Sequence, residues 1–257
     1  DFCLSRGLGD VYKRQQEEYP LLISANRDEF FDRPTAKLHQ WENGIIAGRD
    51  LQGGGTWMGF HPDGKWALLT NYRDFAHPPR GTISRGKLVQ NYLEGNLPAE
   101  AYLESVCREG KSYDGFNLLV SDGEKLYYLS NYTDQILEIQ PGIHGLSNGL
   151  INDPWPKVQL AKRQLSEILT PEIQENNLLS ILKSTETHPH EVLPKTGATA
   201  AMEIQLSAQL IRMKPNYGTV SASAVMRNRK GETRIQERTY QWIPSQFTDQ
   251  NFSFQTQ

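Results

Sequence analysis

The sequence predicts an α+β fold in which two mainly antiparallel sheets lie between layers of helix, a four-layer αββα sandwich. Three observations carry this. Short apolar runs come in pairs across Pro, Asp and Gly turns, as hairpin strands do. Helix-patterned segments arrive two at a time between blocks of strands, which disfavours a doubly wound sheet whose strands and helices alternate singly. A chain of 257 residues with 37% hydrophobic content also suffices for one sizeable domain with a large core.

The elements follow in order. Residues 21–25 form a short apolar run that ends at a polar cluster, the pattern of a buried strand. Residues 56–61 and 65–70 flank Pro62-Asp63-Gly64, where Pro presets φ and Gly tolerates φ > 0. Two helices come next, 85–93 behind a Ser84 cap and 98–108 with Pro98 in its first turn. Strands at 116–121 and 125–130 flank Asp122-Gly123, and strands at 136–139 and 143–147 surround Pro141-Gly142. In the second helix pair, 156–169 sets Val158, Ala161, Leu165 and Ile168 on one stripe, and 173–183 follows Thr170-Pro171. Strands at 219–227 and 233–240 pair across Lys230-Gly231, while 187–199, rich in Pro, His and Thr, reads as a flexible loop. The expected layout is a foreign or disordered segment over 1–16, a single domain over 17–245 and a C-terminal tail over 246–257.

Composition excludes several function classes. With 27 Lys and Arg against 30 Asp and Glu, no net positive field exists to hold nucleic acid. Cys3 and Cys107 are too few for a disulfide framework. The longest apolar runs fall far short of the roughly 20 residues that span a bilayer, and no basic segment precedes an apolar one at the start, so no secretory signal is expected. The opening, DFCLSRGLGDVYKRQQ, has neither strand alternation nor a helical stripe. Its 5–15 portion resembles translated adapter or vector text, which removes Cys3 as a candidate nucleophile. Gly53-Gly54-Gly55 lacks the Gly-Lys-Ser/Thr of a phosphate loop and reads as a tight bend or a place of close backbone approach. The six histidines show no metal-ligand spacing, so no metal is expected. Among them His144 alone sits beside a motif block. Cys107, Trp41 and Trp66 read as core.

The chemistry concentrates in ordered blocks. Asn26-Arg27-Asp28-Glu29 places four hydrogen-bonding side chains directly after the first buried strand. An isolated match of that kind would be an ion-paired turn. Here the run Ala25 to Pro34 is followed by Ala47-Gly48-Arg49-Asp50, Gly53-Gly54-Gly55-Thr56-Trp57-Met58-Gly59 and Leu69-Thr70-Asn71-Tyr72-Arg73. Further on come Tyr113-Asp114-Gly115-Phe116-Asn117, Gly145-Leu146-Ser147-Asn148, Pro154-Trp155-Pro156-Lys157 and Tyr217-Gly218-Thr219. In this order the blocks resemble the NRDE family, named for its Asn-Arg-Asp-Glu signature, over nearly the whole chain.

The resemblance implies an N-terminal nucleophile (Ntn) hydrolase-like fold whose own first strand, which usually opens Met-Cys, is missing here. It also implies a binding or trafficking role in haem, acyl-CoA or lipid homeostasis and, in animals, secretory-pathway organisation. The alternative is a cysteine Ntn amidohydrolase or thioesterase, its terminal thiol attacking while the α-amine carries the proton. That nucleophile would be lost from this chain, which is then expected to be inactive. By position Asp28 resembles the aspartate that supports the terminal amine, and Asn71 and Asn148 resemble residues that orient substrate and stabilise an oxyanion. Asn26, Arg27, Asp28, Glu29, Arg49, Trp57, Tyr72 and Trp155 are the expected ligand-binding set. No cofactor is required, haem is a candidate ligand, and the expected setting is cytoplasmic. One departure is Val220, where the family commonly carries Arg after Tyr217-Gly218-Thr219; the cationic clamp is missing there.

Overall fold

The computed structural model describes residues 2–6, 18–77, 81–133, 135–170, 172–242 and 245–256. In chain order they form β1 (Phe2–Arg6), β2 (Leu21–Phe30), β3 (Thr35–Gln40), β4 (Ile46–Asp50), β5 (Met58–Phe60), β6 (Trp66–Asn71), α1 (Gly86–Glu94) and α2 (Ala99–Glu109). Then follow β7 (Phe116–Ser121), β8 (Leu126–Ser130), β9 (Gln135–Glu138), β10 (Gly142–Leu146), α3 (Pro156–Ile168) and α4 (Glu175–Ser180). The chain closes with α5 (Ala200–Leu206), β11 (Arg212–Met213), β12 (Tyr217–Arg227), β13 (Glu232–Trp242) and β14 (Ser245–Gln255). The fold is α+β with two antiparallel sheets, as the hairpin pattern predicts. It divides into two compact units, neither continuous in sequence: Asp1–Asp32, Pro141–Ser147 and Ile151–Phe254 make the first, and Arg33–Gln140, Asn148–Leu150 and Gln255–Gln257 the second.

The second unit holds a seven-stranded sheet in simple sequence order, β3 to β9. Its turns explain that order. Gly64 and Gly123 take φ of +99° and +101°, a region open to glycine at little cost. Asp122 Oδ1 accepts the backbone N–H groups of Glu124 and Lys125 at 3.0 and 2.8 Å, an Asx turn that closes the β7–β8 hairpin. Helices α1 and α2 cover one face, setting Leu88, Val89, Tyr92, Leu103 and Val106 against Phe116, Leu118, Val120 and Leu129. Each large side chain fully buried here contributes about 1.5–3 kcal/mol.

The first unit's sheet runs β10-β1-β2-β12-β13-β14, with β11 added to the start of β12. Strands β2 and β12 pair antiparallel over their full lengths, from Tyr217 opposite Phe30 to Arg227 opposite Leu21, with a register shift between Thr219 and Ser221. Val220 is the extra residue of that bulge. Leu22, Ala222, Ala224 and Met226 meet Ala161 and Leu165 of α3 and Leu178 and Leu179 of α4. The Thr199 hydroxyl accepts from Met202 N–H and caps α5.

Several sequence expectations need correction. The place of a first strand is not empty: β1 pairs antiparallel with both β2 and β10, Cys3 lying opposite Ser24 and Gly145. Strand pairing draws on main-chain N–H and C=O groups, so two sheet edges can accept residues whose side chains match no family pattern. Residues 7–16 of the segment read as foreign lie outside the described residues. Strand β2 continues to Phe30, so Asn26–Glu29 lie inside the strand rather than after it. The pairing with β12 overrides the polarity that seemed to end the run. The tail read over 246–257 is largely β14, the last strand of its sheet; Arg238 of β13 holds Asp249 of β14 through two hydrogen bonds of 2.8 and 2.7 Å. The helix expected over 173–183 is confined to α4, because the chain turns at Leu182 with φ of +60°. Arg85 rather than Ser84 occupies the N-cap of α1, without a side-chain cap bond. Strands β3, β4 and β11 and helix α5 were not legible, being short or lacking period-2 alternation.

Candidate functional site

The signature residues of β2 divide by strand alternation. Asn26 is 9% exposed, and its Nδ2 donates to the main-chain carbonyls of Leu182 at 2.9 Å and Gln209 at 3.0 Å. Both N–H donors of that amide are thereby committed to irregular backbone that follows α4 and α5. Two places earlier on the same face, the Ser24 hydroxyl donates to Leu178 O at 2.8 Å. Two places later, Asp28 Oδ1 accepts the Thr219 hydroxyl at 2.7 Å. Thr219, fully buried, itself accepts Ile211 N–H at 2.9 Å, and its carbonyl accepts Trp242 Nε1 at 2.8 Å. Arg27 and Glu29, of opposite parity, form an ion pair at 3.7 Å. The even residues of the signature therefore hold elements together, and the odd residues form an ion pair.

In the second unit one end of the sheet gathers a different cluster. Arg73 leaves the end of β6 and binds Asn148 twice, N–H to Asn148 O at 2.7 Å and Nη2 to Asn148 Oδ1 at 2.9 Å. Asn148 Nδ2 donates to Asn71 O at 2.8 Å. Fully buried Asn117 fixes the neighbouring peptide, donating to Gly149 O at 2.9 Å and Thr70 Oγ1 at 3.1 Å while accepting Tyr128 OH at 2.7 Å. Tyr72 stacks on Tyr132 with centroids 3.8 Å apart. Gly115 makes room for that stack, since a Cβ there would stand 2.8 Å from the Tyr132 ring and 3.1 Å from Tyr72 Cβ. Tyr132 OH donates to Asp74 Oδ2 at 2.7 Å, and that bond, with those from His77 and the backbone of Ala76, holds the Asp74 carboxyl below its ordinary range.

The remaining expected residues fall as follows. Arg49 lies 4.7 Å from the Trp41 ring centroid and donates to Gly54 O at 3.3 Å. Half-buried Trp57 packs over Gly48, where a Cβ would stand 2.5 Å from the indole. Strand order puts Arg49, Trp57 and Tyr72 at the same end of the β3–β9 sheet. Trp155 belongs to the first unit and occupies the N-cap of α3. The glycine loop is explained by packing: a Cβ on Gly55 would stand 2.4 Å from the carbonyl carbon and oxygen of Gly86 at the start of α1. Close approach of backbone to backbone is the reason for glycine there. His144 Nδ1 stands 3.0 Å from Asn152 Nδ2, and Asn152, at φ of +62°, also takes Lys162 Nζ and Gly145 N–H on its Oδ1, each at 3.1 Å.

The structure thus joins Asn71, Tyr72 and Asn148 in one unit and Asn26, Arg27, Asp28 and Glu29 in the other. Sequence reading passed over Arg73, Thr219, Asp74 and Tyr132. Arg73 adjoins Asn71 within a motif block and was accessible from that; Tyr132 carried no local signal. Among the described residues no group of three or more His, Cys, Asp or Glu side chains could hold a metal ion. Nor is any described helix long and apolar enough to cross a membrane.

A family model described as Transport and Golgi organisation 2 matches residues 10–242. The chain belongs to the Transport and Golgi organisation 2 family. This is the family the Asn-Arg-Asp-Glu blocks resemble. The human Transport and Golgi organization protein 2 homolog is 32% identical over 243 residues, covering 86% of this chain and 87% of that protein. The mouse homolog is 31% identical over 241 residues with the same shares, 86% and 87%. Among solved structures, the Caenorhabditis elegans ortholog of N-acylethanolamine-hydrolyzing acid amidase matches at 10% identity, 87% of this chain, 91% of that chain and a TM-score of 0.48.

Proposed function

We propose that this member of the Transport and Golgi organisation 2 family binds and hands on a small ligand, of the haem, acyl-CoA or lipid class that its family blocks imply. The observation that carries the reading is the meeting of Arg73, Asn71 and Asn148 with the stacked Tyr72–Tyr132 pair at one end of the second unit's sheet. A guanidinium beside side-chain amides suits an anionic or carbonyl group, and a ring stack suits a planar or apolar body. Arg49 and Trp57, at the same end, extend that chemistry. No cofactor is needed for such a role, and a cytoplasmic setting belongs to the same proposal.

The amidohydrolase alternative would set Asp28 beside a terminal thiol. Here Asp28 is bonded to the Thr219 hydroxyl, a bond that ties β2 to β12 and favours the binding reading. The test is titration of the full chain with haem, followed by the Soret band, and with a long-chain acyl-CoA and a fatty acid, followed by calorimetry. Arg73→Ala and Tyr72→Ala should each weaken the ligand that binds by about tenfold, the loss of one good contact. Absence of saturable binding by all three, or binding indifferent to both substitutions, would sink the proposal.

A further inference from the structure

On the segment after β6, Asp74 gathers donors from three directions. Its Oδ2 accepts Tyr132 OH at 2.7 Å and stands 2.8 Å from His77 Nδ1; its Oδ1 accepts the backbone N–H groups of Ala76 at 3.1 Å and His77 at 3.2 Å. A carboxylate so solvated is ionised and accepts only, so the proton between it and the ring sits on Nδ1. In the neutral ring that arrangement leaves the lone pair on Nε2. Asp74 is 13% exposed and the His77 side chain 67%. The carboxylate is thus withdrawn while the imidazole ring is largely exposed. Behind Asp74, Tyr132 is held by its stack on Tyr72. Asp74 is clamped by four donors and the His77 ring is presented.

From this geometry we infer a general-base site, beside the proposed ligand-binding end and sharing Tyr132 with it, in which His77 activates water against an ester or thioester carbonyl while Asp74 and Tyr132 hold its ring. Water bonded to Nε2 attacks the acyl carbon. Its proton passes to Nε2, the new C–O bond forms, and the carbonyl π pair moves onto oxygen. Collapse restores C=O and breaks the bond to the alcohol or thiol oxygen or sulfur, and Nε2 returns its proton to that leaving group. A carboxylic acid and an alcohol or thiol are released with the imidazole unchanged. Water is the only co-reactant. His77 is the catalytic residue; Asp74 and Tyr132 are positioning residues.

The full chain is assayed for release of p-nitrophenolate from p-nitrophenyl acetate. His77→Gln should lower kcat/KM by on the order of 10²-fold. Asp74→Asn should lower kcat by about tenfold with KM within about twofold, because it disturbs the ring's tautomer and not the acyl group. Free imidazole should restore turnover to His77→Gly above the rate of imidazole in buffer, which a structural role could not produce. His188→Gln, on another loop, should change nothing. Should Asp74→Asn unfold the chain, the exposed His77 variants still decide the matter. A wild-type rate no higher than buffer, His77→Gln within twofold of wild type, or no imidazole rescue would each overturn the inference. Haem and fatty-acid titrations of His77→Gln, ligands with no ester or thioester to cleave and so expected to match wild type, separate failure here from failure of the ligand reading.

Discussion

Asn26 and Asn148 carry the same side chain and sit in motif blocks of equal standing, yet the two units use them differently. Asn26 is buried, with both amide protons given to main-chain carbonyls of Leu182 and Gln209. Asn148 is half-buried, bonded to Arg73 and to the carbonyl of Asn71 on one sheet end. A side-chain amide with both N–H groups held by buried backbone is a staple. The one that shares a sheet end with a guanidinium and an aromatic stack is the one we propose to meet the ligand. What separates them is the company each keeps in three dimensions.

The contrast can be broken or sharpened by substitution, taken from the largest effect down. Asn26→Ala leaves two buried carbonyls without donors and should cost about 3 kcal/mol, read as a lower urea midpoint at unchanged m. Loss of ligand affinity without loss of stability would reverse the assignment. Gly55→Ala drives a methyl into the backbone of Gly86 and should destabilise by about 2–3 kcal/mol; a neutral result on thermal melting would show that the loop relaxes. Asn117→Ala removes the support of Gly149 and the partner of Tyr128 OH. It should lose about 2 kcal/mol and, by freeing the peptide beside Asn148, weaken ligand binding as well. If binding persists unchanged in the folded variant, the 148–150 segment does not depend on β7.

A smaller effect tests the β13–β14 edge. The Arg238 hydrogen bonds hold the Asp249 carboxyl below its ordinary value of 3.8, outweighing its partial burial. A depressed folded pKa stabilises above the unfolded value, and that contribution fades as pH falls through the lower folded one. Asp249→Asn should therefore cost about 0.5 kcal/mol at neutral pH, the pair being partly exposed and screened, and should converge with wild type once pH falls below the depressed carboxyl value. A difference that grows on acidification would contradict the linkage. Smallest of all, Asn148→Ala should shift stability by less than about 1 kcal/mol while lowering ligand affinity; the opposite pattern would make it a second staple.

Much of the fold was legible in local chemistry. Turn residues located the β5–β6, β7–β8 and β12–β13 hairpins, and Val158, Ala161 and Leu165 marked the buried stripe of α3, since these signals depend only on neighbours in sequence. Strand β2 was read too short because its second half is polar, and that half is a strand only through pairing with β12. Strand β14 was read as a tail for a related reason: nothing in residues 245–255 announces burial, and the edge of β13 supplies the partner. Of the residues in the proposed site, Asn71, Tyr72 and Asn148 lie in motif blocks, whereas the contacts of Tyr132, Asp74 and Thr219 reach across 58 and 191 positions of chain and carry no local signal.

By itself, the order of the blocks determined which family this chain belongs to and that its sheets would be antiparallel, for both are written in residue types at short spacing. Only the tertiary structure decided which asparagine is a staple and which lies on a rim, that β1 lies between β2 and β10, and that a histidine and an aspartate three residues apart share a carboxylate oxygen with a distant tyrosine. Hydrogen bonds are satisfied by whatever the fold brings within about 3 Å, and sequence spacing does not encode that proximity.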